Sequence, residues 1–394
     1  MKDVVIVEAA RTPIGRYMGV LSPFSAVQLG TLAVKGVLER SKIDPSLIEM
    51  VIMGNVIQAG SGQNPARQCS IHAGIPVEAG AMTLNMVCAS GLQAANIAFR
   101  SILAGEYRCA MIGGMESMSN VPYIVRGCRE GLKMGDRKFE DIMVSDGLWD
   151  IYNNFHMGIT AEMVAEKHKF TRLEIDTYAV NSHKKAIEAI KNGSYKNEII
   201  PVQIPQKKGD PIVVDTDEGP RADSSVEKLG TLKAVFKKDG VVTAGNAPGT
   251  NDGGAAVLIM DADLAKEQGL KPIAKIVAAR VGGIAPEWVM LSPVPTIKNL
   301  IKKDGIKLED IELFELNEAF AVQAMGVIKE LNLNPDICNV NGGAVALGHP
   351  IGCSGTRILV TLIHALKNRG KTRGLAALCL GGGNGVGMVV DVIK

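Results

Sequence analysis

Seven cysteines and six histidines are spread through 394 residues, and one cysteine stands in a context suited to nucleophilic chemistry. In "NMVCASGLQA" (85–94), Cys88 comes just before a Ser-Gly step and a run of small residues that reads as a helix ending at Gly105. That places the thiol at the first turn, where unpaired backbone N–H groups and the helix dipole favour a thiolate. The same donors can hold an oxyanion forming on a substrate bonded to the sulfur. The plain alternative is a buried cysteine that packs as a small hydrophobe, the common fate of a free thiol.

Three further stretches carry groups that such a nucleophile needs. In "NGGAVALGHPIGCSGTR" (341–357), His349 precedes a proline and is therefore biased toward an extended or turn conformation. Glycines at 342, 343, 348, 352 and 355 allow tight turns and close approach to a ligand. Histidine is the usual partner that activates a thiol. In "CLGGGNGVGM" (379–388), a buried strand ends at Cys379 and runs into a glycine-rich turn with Gly381 two residues on. It lacks G-x-G-x-x-G spacing and so does not read as a dinucleotide site. In "ELNEAFAVQAMGVIKE" (315–330), Asn317 follows an apolar strand and reads as the start of a helix. It either caps that helix or offers its amide to a water or a substrate oxygen.

The elements that must hold these groups alternate. Short apolar runs ("VVIVEAA", "MVIMGNVI", "CAMIGG", "AAVLIM", "IAKIVAARV", "IELFEL", "LAALCL") are separated by helical stretches, the pattern of an α/β protein with buried strands. Residues 121–246 differ in texture: they are polar, charged and turn-rich around one helical stretch, as an inserted loop domain would be. There is also an echo between the halves. "CASG" (88–91) leads through a helix and a Gly-plus-basic turn to the strand at 109–114, and "GCSG" (352–355) does the same toward 375–382. On the residues alone, that echo is equally a coincidence between two α/β units.

Bulk properties exclude several classes. A formal net charge of +2 gives no footprint for nucleic acid or an anionic membrane surface. No apolar run reaches the length of a membrane span. Met1 leads almost directly into a strand, leaving no room for a signal peptide, so the expected location is the cytoplasm. The cysteines are odd in number and include no C-x-x-C pair, which fits neither a disulfide framework nor a zinc site, and no metal is expected.

Taken together and in this order, "CASG" at 88, "NEAF" at 317, "GHPIGCSG" at 348 and "CLGGG" at 379 resemble the four signature blocks of the thiolases. "VVIVEAARTPIGR", "GGMESMSNVPY", "HMGITAE" and "VTAGNAPGTNDGGAAV" extend the resemblance along the chain. It implies two similar halves, each a five-stranded mixed sheet layered with helices (1–120 with 247–272, and 273–394), and a loop domain at 121–246 for CoA binding and oligomerisation. It further implies an acyltransferase that interconverts two acetyl-CoA with acetoacetyl-CoA and CoA. Cys88 would be the acylated nucleophile, His349 its base and Cys379 the base for the second substrate. Backbone N–H groups of Cys88 and Gly381 would hold one oxyanion; His349 and a water on Asn317 would hold the other. By position, His156, Met157, Arg221 and Phe236 resemble residues along the pantetheine and nucleotide path, while Ala244, Ala319 and Phe320 resemble walls near the thioester. Beyond the CoA of the substrate no cofactor is implied.

"HMG" at 156–158 and "RGCREGLKMGD" resemble the short-chain members of the family, and the latter implies a homotetramer. Pro248 departs from the family, which often has a serine there to bond the pantetheine. Residues 287–292 ("EWVMLS") also leave the family pattern, and no role is carried over to them. The rivals are a thiolase of broader chain length, a β-ketoacyl synthase-like enzyme, a Cys-His-Asn hydrolase and a catalytically silent lipid-binding scaffold. Cys379 and the inserted segment speak against the synthase and the hydrolase, and the presence of all three reactive side chains speaks against the scaffold.

Overall fold

Nine strands build the main sheet of the computed structural model, which describes residues 3–393. They are β1 (Val4–Arg11), β2 (Met50–Gly54), β3 (Gly80–Leu84), β4 (Cys109–Ser117), β5 (Asn251–Asp261), β6 (Ala274–Gly283), β7 (Leu313–Leu316), β8 (Arg373–Leu380) and β9 (Asn384–Val392). The short pair Gly15–Arg16 adds to the end of β5. The interior strands are rich in Val, Ile, Met and Ala and nearly continuous in burial, as strands covered on both faces should be.

The sheet order is β7-β8-β9-β6-β1-β5-β4-β2-β3. On the N-terminal side, β3, β2 and β4 run parallel, and β5 and then β1 continue antiparallel. On the C-terminal side β7 and β8 are parallel, and β9 and then β6 follow antiparallel. The place of β3 is taken there by a single parallel bridge, Phe314 to Cys338. The same topology therefore occurs twice. The two copies meet edge to edge through only Val5–Lys275 and Ile6–Ala274, so two five-position sheets read as one.

Helices α2 (Ser90–Ala104) and α6 (Ile351–Asn368) pack together and share one apolar core with the sheet, including Leu92, Ala95, Ile358, Leu362 and Ile112. Their crossing is reciprocal. A Cβ on Gly91 would come within 2.7 Å of Thr356 N, and one on Gly355 within 2.4 Å of Leu92 N. Only glycine lets the backbones approach so closely, and this crossing sets both helix N-termini side by side. Helix α1 (Ala26–Ser41), closed by a Ser25–Gln28 capping box, covers the other face of the N-terminal half.

Strands β4 and β5 pair directly, from Ser117–Asp252 to Cys109–Met260, so the chain between them leaves the sheet and returns. That excursion carries α3 (Met157–His168) and α4 (Arg172–Lys191) besides short two-stranded pairs. It is fastened to β1 by the buried Arg11, which reaches Glu198 and Asp217 at 2.7 Å each.

Candidate active site

Cys88 is lifted by a tight turn between β3 and α2. Val87 adopts φ 44°, a conformation that costs a β-branched residue roughly 1–3 kcal/mol. Ser90 holds it there: its hydroxyl donates to Val87 O at 2.6 Å and accepts from Met86 N at 2.9 Å. The helix itself begins at Ser90, with no side-chain cap at Ala89.

His349 is set by contacts from the opposite half. Gly348 has φ 110°, and a Cβ there would lie 2.3 Å from the Asn251 side chain. Asn251 Oδ1 accepts the His349 N–H at 2.9 Å, while its amide donates to Gly15 O at 2.8 Å. The imidazole Nδ1 lies 2.6 Å from Ser354 Oγ, and that hydroxyl donates its proton to Pro350 O at 2.9 Å. The network therefore assigns the ring proton to Nδ1 and leaves Nε2 as an acceptor.

Asn317 agrees with that assignment. Arg357, whose guanidinium only donates, bonds Glu315 at 2.8 Å and reaches Asn317 Oδ1 at 3.4 Å. This turns Asn317 Nδ2 toward His349 Nε2, 3.5 Å away. Of the two readings its sequence context left open for Asn317, the helix cap does not hold. The Asn317 N–H bonds Ala377 O, the chain turns just after it with the Ala319 N–H bonded to Asn317 O at 3.0 Å, and helix α5 (Ala321–Glu330) starts only beyond Phe320.

Cys379 lies near the end of β8 and is 2% exposed. The backbone N–H groups of Cys88 itself and of Gly381 both reach the Cys88 sulfur and favour its anion. Burial outweighs them and pushes the Cys88 thiol up to about 12, so the resting group is a thiol and not the thiolate expected from its helix position. Burial, followed by the proximity of Cys88, raises the Cys379 thiol as well. His349 is pushed down to about 3, first by burial and then by Arg357. The site thus rests as uncharged thiols beside an uncharged imidazole.

These groups face an apolar cavity of about 250 Å³, lined by Cys88, His349, Cys379 and Gly381. His156, Met157, Phe236, Ala319 and Phe320 line it too. His156 caps α3 by accepting the Gly158 N–H and stacks on Phe236 with centroids 4.6 Å apart; Phe236 meets Phe320 edge-on at 6.1 Å. Arg221 and Ala244 lie instead in an adjoining groove that shares Ala247, Gly249 and Thr250 with the cavity. Pro248 lines the cavity and presents no hydroxyl there. Val289 and Met290, from the stretch to which no role was carried over, also form its wall.

Sequence reasoning passed over Ser354, Arg357, Asn251 and Glu116. Glu116 is buried and accepts from Asn55 and from the N–H groups of Val56, Ile57 and Gly352, tying the two halves beneath Cys88. No group of three or more potential metal ligands occurs among the described residues.

Two thiols, an imidazole with an acceptor nitrogen and convergent backbone N–H groups at an apolar cavity belong to acyl-transfer and condensation chemistry, on a two-halved α/β frame. The comparisons refine this class. Family models described as "Thiolase, N-terminal domain" and "Thiolase, C-terminal domain" match residues 4–263 and 270–392. The chain belongs to the thiolase family. It is 49% identical to an acetyl-CoA acetyltransferase of Pseudomonas aeruginosa, with 99% of each chain covered. It is 48% identical to a probable acetyl-CoA acyltransferase of Staphylococcus epidermidis, again with 99% of each covered. The crystal structure of the Bacillus anthracis acetyl-CoA acetyltransferase superposes with TM-score 0.97 at 40% identity, covering 100% of this chain and 99% of that one.

Proposed function

We propose that the protein interconverts two acetyl-CoA with acetoacetyl-CoA and CoA, by way of an acetyl group carried on Cys88. The observation that carries this reading is the convergence of Cys88, Cys379 and His349 on one apolar cavity. A hydrolase or simple acyltransferase has no use for the second thiol. Both chemical steps need only a thiol, a base and fixed dipoles, so no metal or organic cofactor takes part beyond the CoA of the substrates.

In this mechanism His349 Nε2 takes the Cys88 proton as the sulfur attacks the thioester carbonyl of the first acetyl-CoA. The N–H groups of Cys88 and Gly381 hold the oxyanion, and the departing CoA thiolate takes the Cys379 proton, which leaves Cys379 as a thiolate beside the protonated His349. A second acetyl-CoA then gives a methyl proton to that thiolate. Its enolate oxygen is held by His349 and a water on Asn317, its carbon attacks the acetyl-Cys88 carbonyl, and the expelled Cys88 sulfur takes its proton back from His349. Thiolysis is the reverse. A thioester α-proton is weakly acidic, so removal requires a close base and a strong enolate site together.

The small cavity between Met157, Phe236, Phe320 and Met290 favours four-carbon substrates over longer ones. His156, Met157 and Phe236 would flank the pantetheine arm, with Ala319 and Phe320 nearest the thioester and Arg221 and Ala244 toward the nucleotide. A homotetramer acting in the cytoplasm is part of the same reading. Its support is the run of exposed apolar side chains in the inserted segment, among them Leu132, Met134, Phe139, Ile151 and Tyr152. The deciding experiment follows acetoacetyl-CoA formation from acetyl-CoA, and compares thiolysis of four- and eight-carbon 3-ketoacyl-CoA by the same preparation. Failure to form or cleave acetoacetyl-CoA refutes the activity; equal kcat/KM for both chain lengths refutes the short-chain preference.

A further inference from the structure

Glu116, on β4, takes no part in the steps above, yet it is 1% exposed and lies where the two halves meet. Four N–H donors grip its carboxylate. Oε1 accepts from Asn55 Nδ2 at 2.8 Å and from the Ile57 N–H at 3.3 Å. Oε2 accepts from the Val56 N–H at 3.0 Å and, from the other half, the Gly352 N–H at 2.9 Å. Burial pushes the acid up to about 7 and these donors draw it back, so at pH 8 it is an anion.

Each side of that anion leads to one reactive group. On one side, Val56 O accepts from Asn85 Nδ2 at 3.3 Å, and Asn85 Oδ1 accepts the Val87 N–H at 3.0 Å, next to Cys88. On the other, Gly352 stands in the first turn of α6, between His349 and the Ser354 that bonds its imidazole. The backbones there are in close approach. A Cβ on Gly114 would fall 2.2 Å from Gly352 O, and one on Gly54 would fall 2.8 Å from it. Strands β2 and β4 thus abut the chain that follows His349, and Glu116 is the polar link between the two turns.

An anion serves all four donors, and a neutral isostere does not. Glutamine has one acceptor oxygen and an NH2 group. In one orientation the Ile57 N–H would face that NH2; in the other, the Val56 and Gly352 N–H groups would. Holding the halves together does not require such a group, because the apolar core shared by α2, α6 and the sheet already joins them. We infer that Glu116 is a positioning residue for acyl transfer, its anion setting the Cys88 turn against the His349 turn and so the sulfur against its base. The inference rests on the pairing of Cys88 with His349 in the reading above.

The test is made at pH 8. Glu116→Gln should lower kcat on the order of 10²-fold, the cost of misplacing reacting groups by about an ångström, with KM for acetoacetyl-CoA little changed. Asn85 is exposed, so Asn85→Ala is mild for the fold, and it should lower kcat about tenfold in the same way. Alkylation of Cys88 by iodoacetamide separates positioning from mere packing. Cys88 rests as a thiol, so alkylation needs its proton to pass to His349. Glu116→Gln should slow alkylation about tenfold in the parent and less than twofold in His349→Asn, because residues that act as one unit are not additive. Loosened packing would instead expose the thiol and speed alkylation in both backgrounds. That outcome, an equal loss in both, or an unchanged kcat overturns the inference. Should Glu116→Gln not fold, Asn85→Ala carries the same cycle with His349→Asn. A parent that forms no acetoacetyl-CoA, yet shows the His349-dependent loss of alkylation, keeps the positioning role and refutes the acetyl-transfer reading instead.

Discussion

Ser354 Oγ stands 2.6 Å from His349 Nδ1 and passes its own proton to Pro350 O, so a single hydroxyl decides which face of the imidazole is basic. Ser354→Ala removes the acceptor that holds the proton on Nδ1. We expect kcat to fall on the order of 10²-fold, within the usual range for general-base catalysis, with KM little changed. Alkylation of Cys88 by iodoacetamide should slow in parallel, and unchanged alkylation and turnover would remove Ser354 from the proton path.

Cys379→Ser should separate the two half-reactions. The variant should still be acetylated on Cys88 by acetyl-CoA, as read by peptide mass spectrometry, while condensation falls by 10²-fold or more. Cys88→Ser should lose the covalent adduct. Acetyl groups found on Cys379 or on the buried Cys353 in the parent would reverse the roles.

The pH dependence of stability has a definite sign. His349 binds a proton in the unfolded chain below its ordinary 6.5 but in the folded one only near 3. Between those values the unfolded state holds more protons, so this group's contribution to stability is lost as pH falls through that window. His183, lowered to about 4, acts in the same direction. Urea unfolding of His349→Asn at pH 7 and pH 4.5 should therefore show a smaller loss on acidification than the parent does. An equal or larger loss would mean that the imidazole is not held uncharged by burial and Arg357.

Gly158→Ala probes the wall of the cavity. The added Cβ would fall 2.2 Å from the Phe236 ring, which stacks on His156 and meets Phe320. Overpacking of this kind costs about 1–3 kcal/mol. The ring must move, and KM for acetoacetyl-CoA should rise severalfold more than kcat falls. Normal KM with normal melting would show that Phe236 is not fixed as part of the acyl-CoA wall.

The frame was largely legible in the chain because buried strands advertise themselves as apolar runs. β3 escaped because "GAMTL" is short and half-buried and closes the sheet at its free edge. Cys88, His349 and Cys379 were legible because each sits among glycines and small residues that only a tight backbone needs. Ser354 and Arg357 stood in the same quoted stretch, yet their partners lie a helix turn away or across a strand, which spacing alone does not reveal. Asn251 is 98 residues from His349, and only the pairing of β5 with the rest of the sheet brings it there. Cys88 being a thiol at rest was equally hidden, because helix position is local while burial is set by the assembled whole.

The reciprocal crossing of Gly91 and Gly355 gives the frame two equivalent seats, and only one of them can hold a side chain. The residue that corresponds to Cys88 in the second half is Gly352, whose N–H is bonded to Glu116 and where a Cβ would strike Glu116 Oε2 at 2.7 Å. That seat admits no side chain. If Cys88 carries the acyl group as proposed, one chain should titrate as one acyl equivalent, and a symmetric scaffold then delivers a single, one-sided reaction centre.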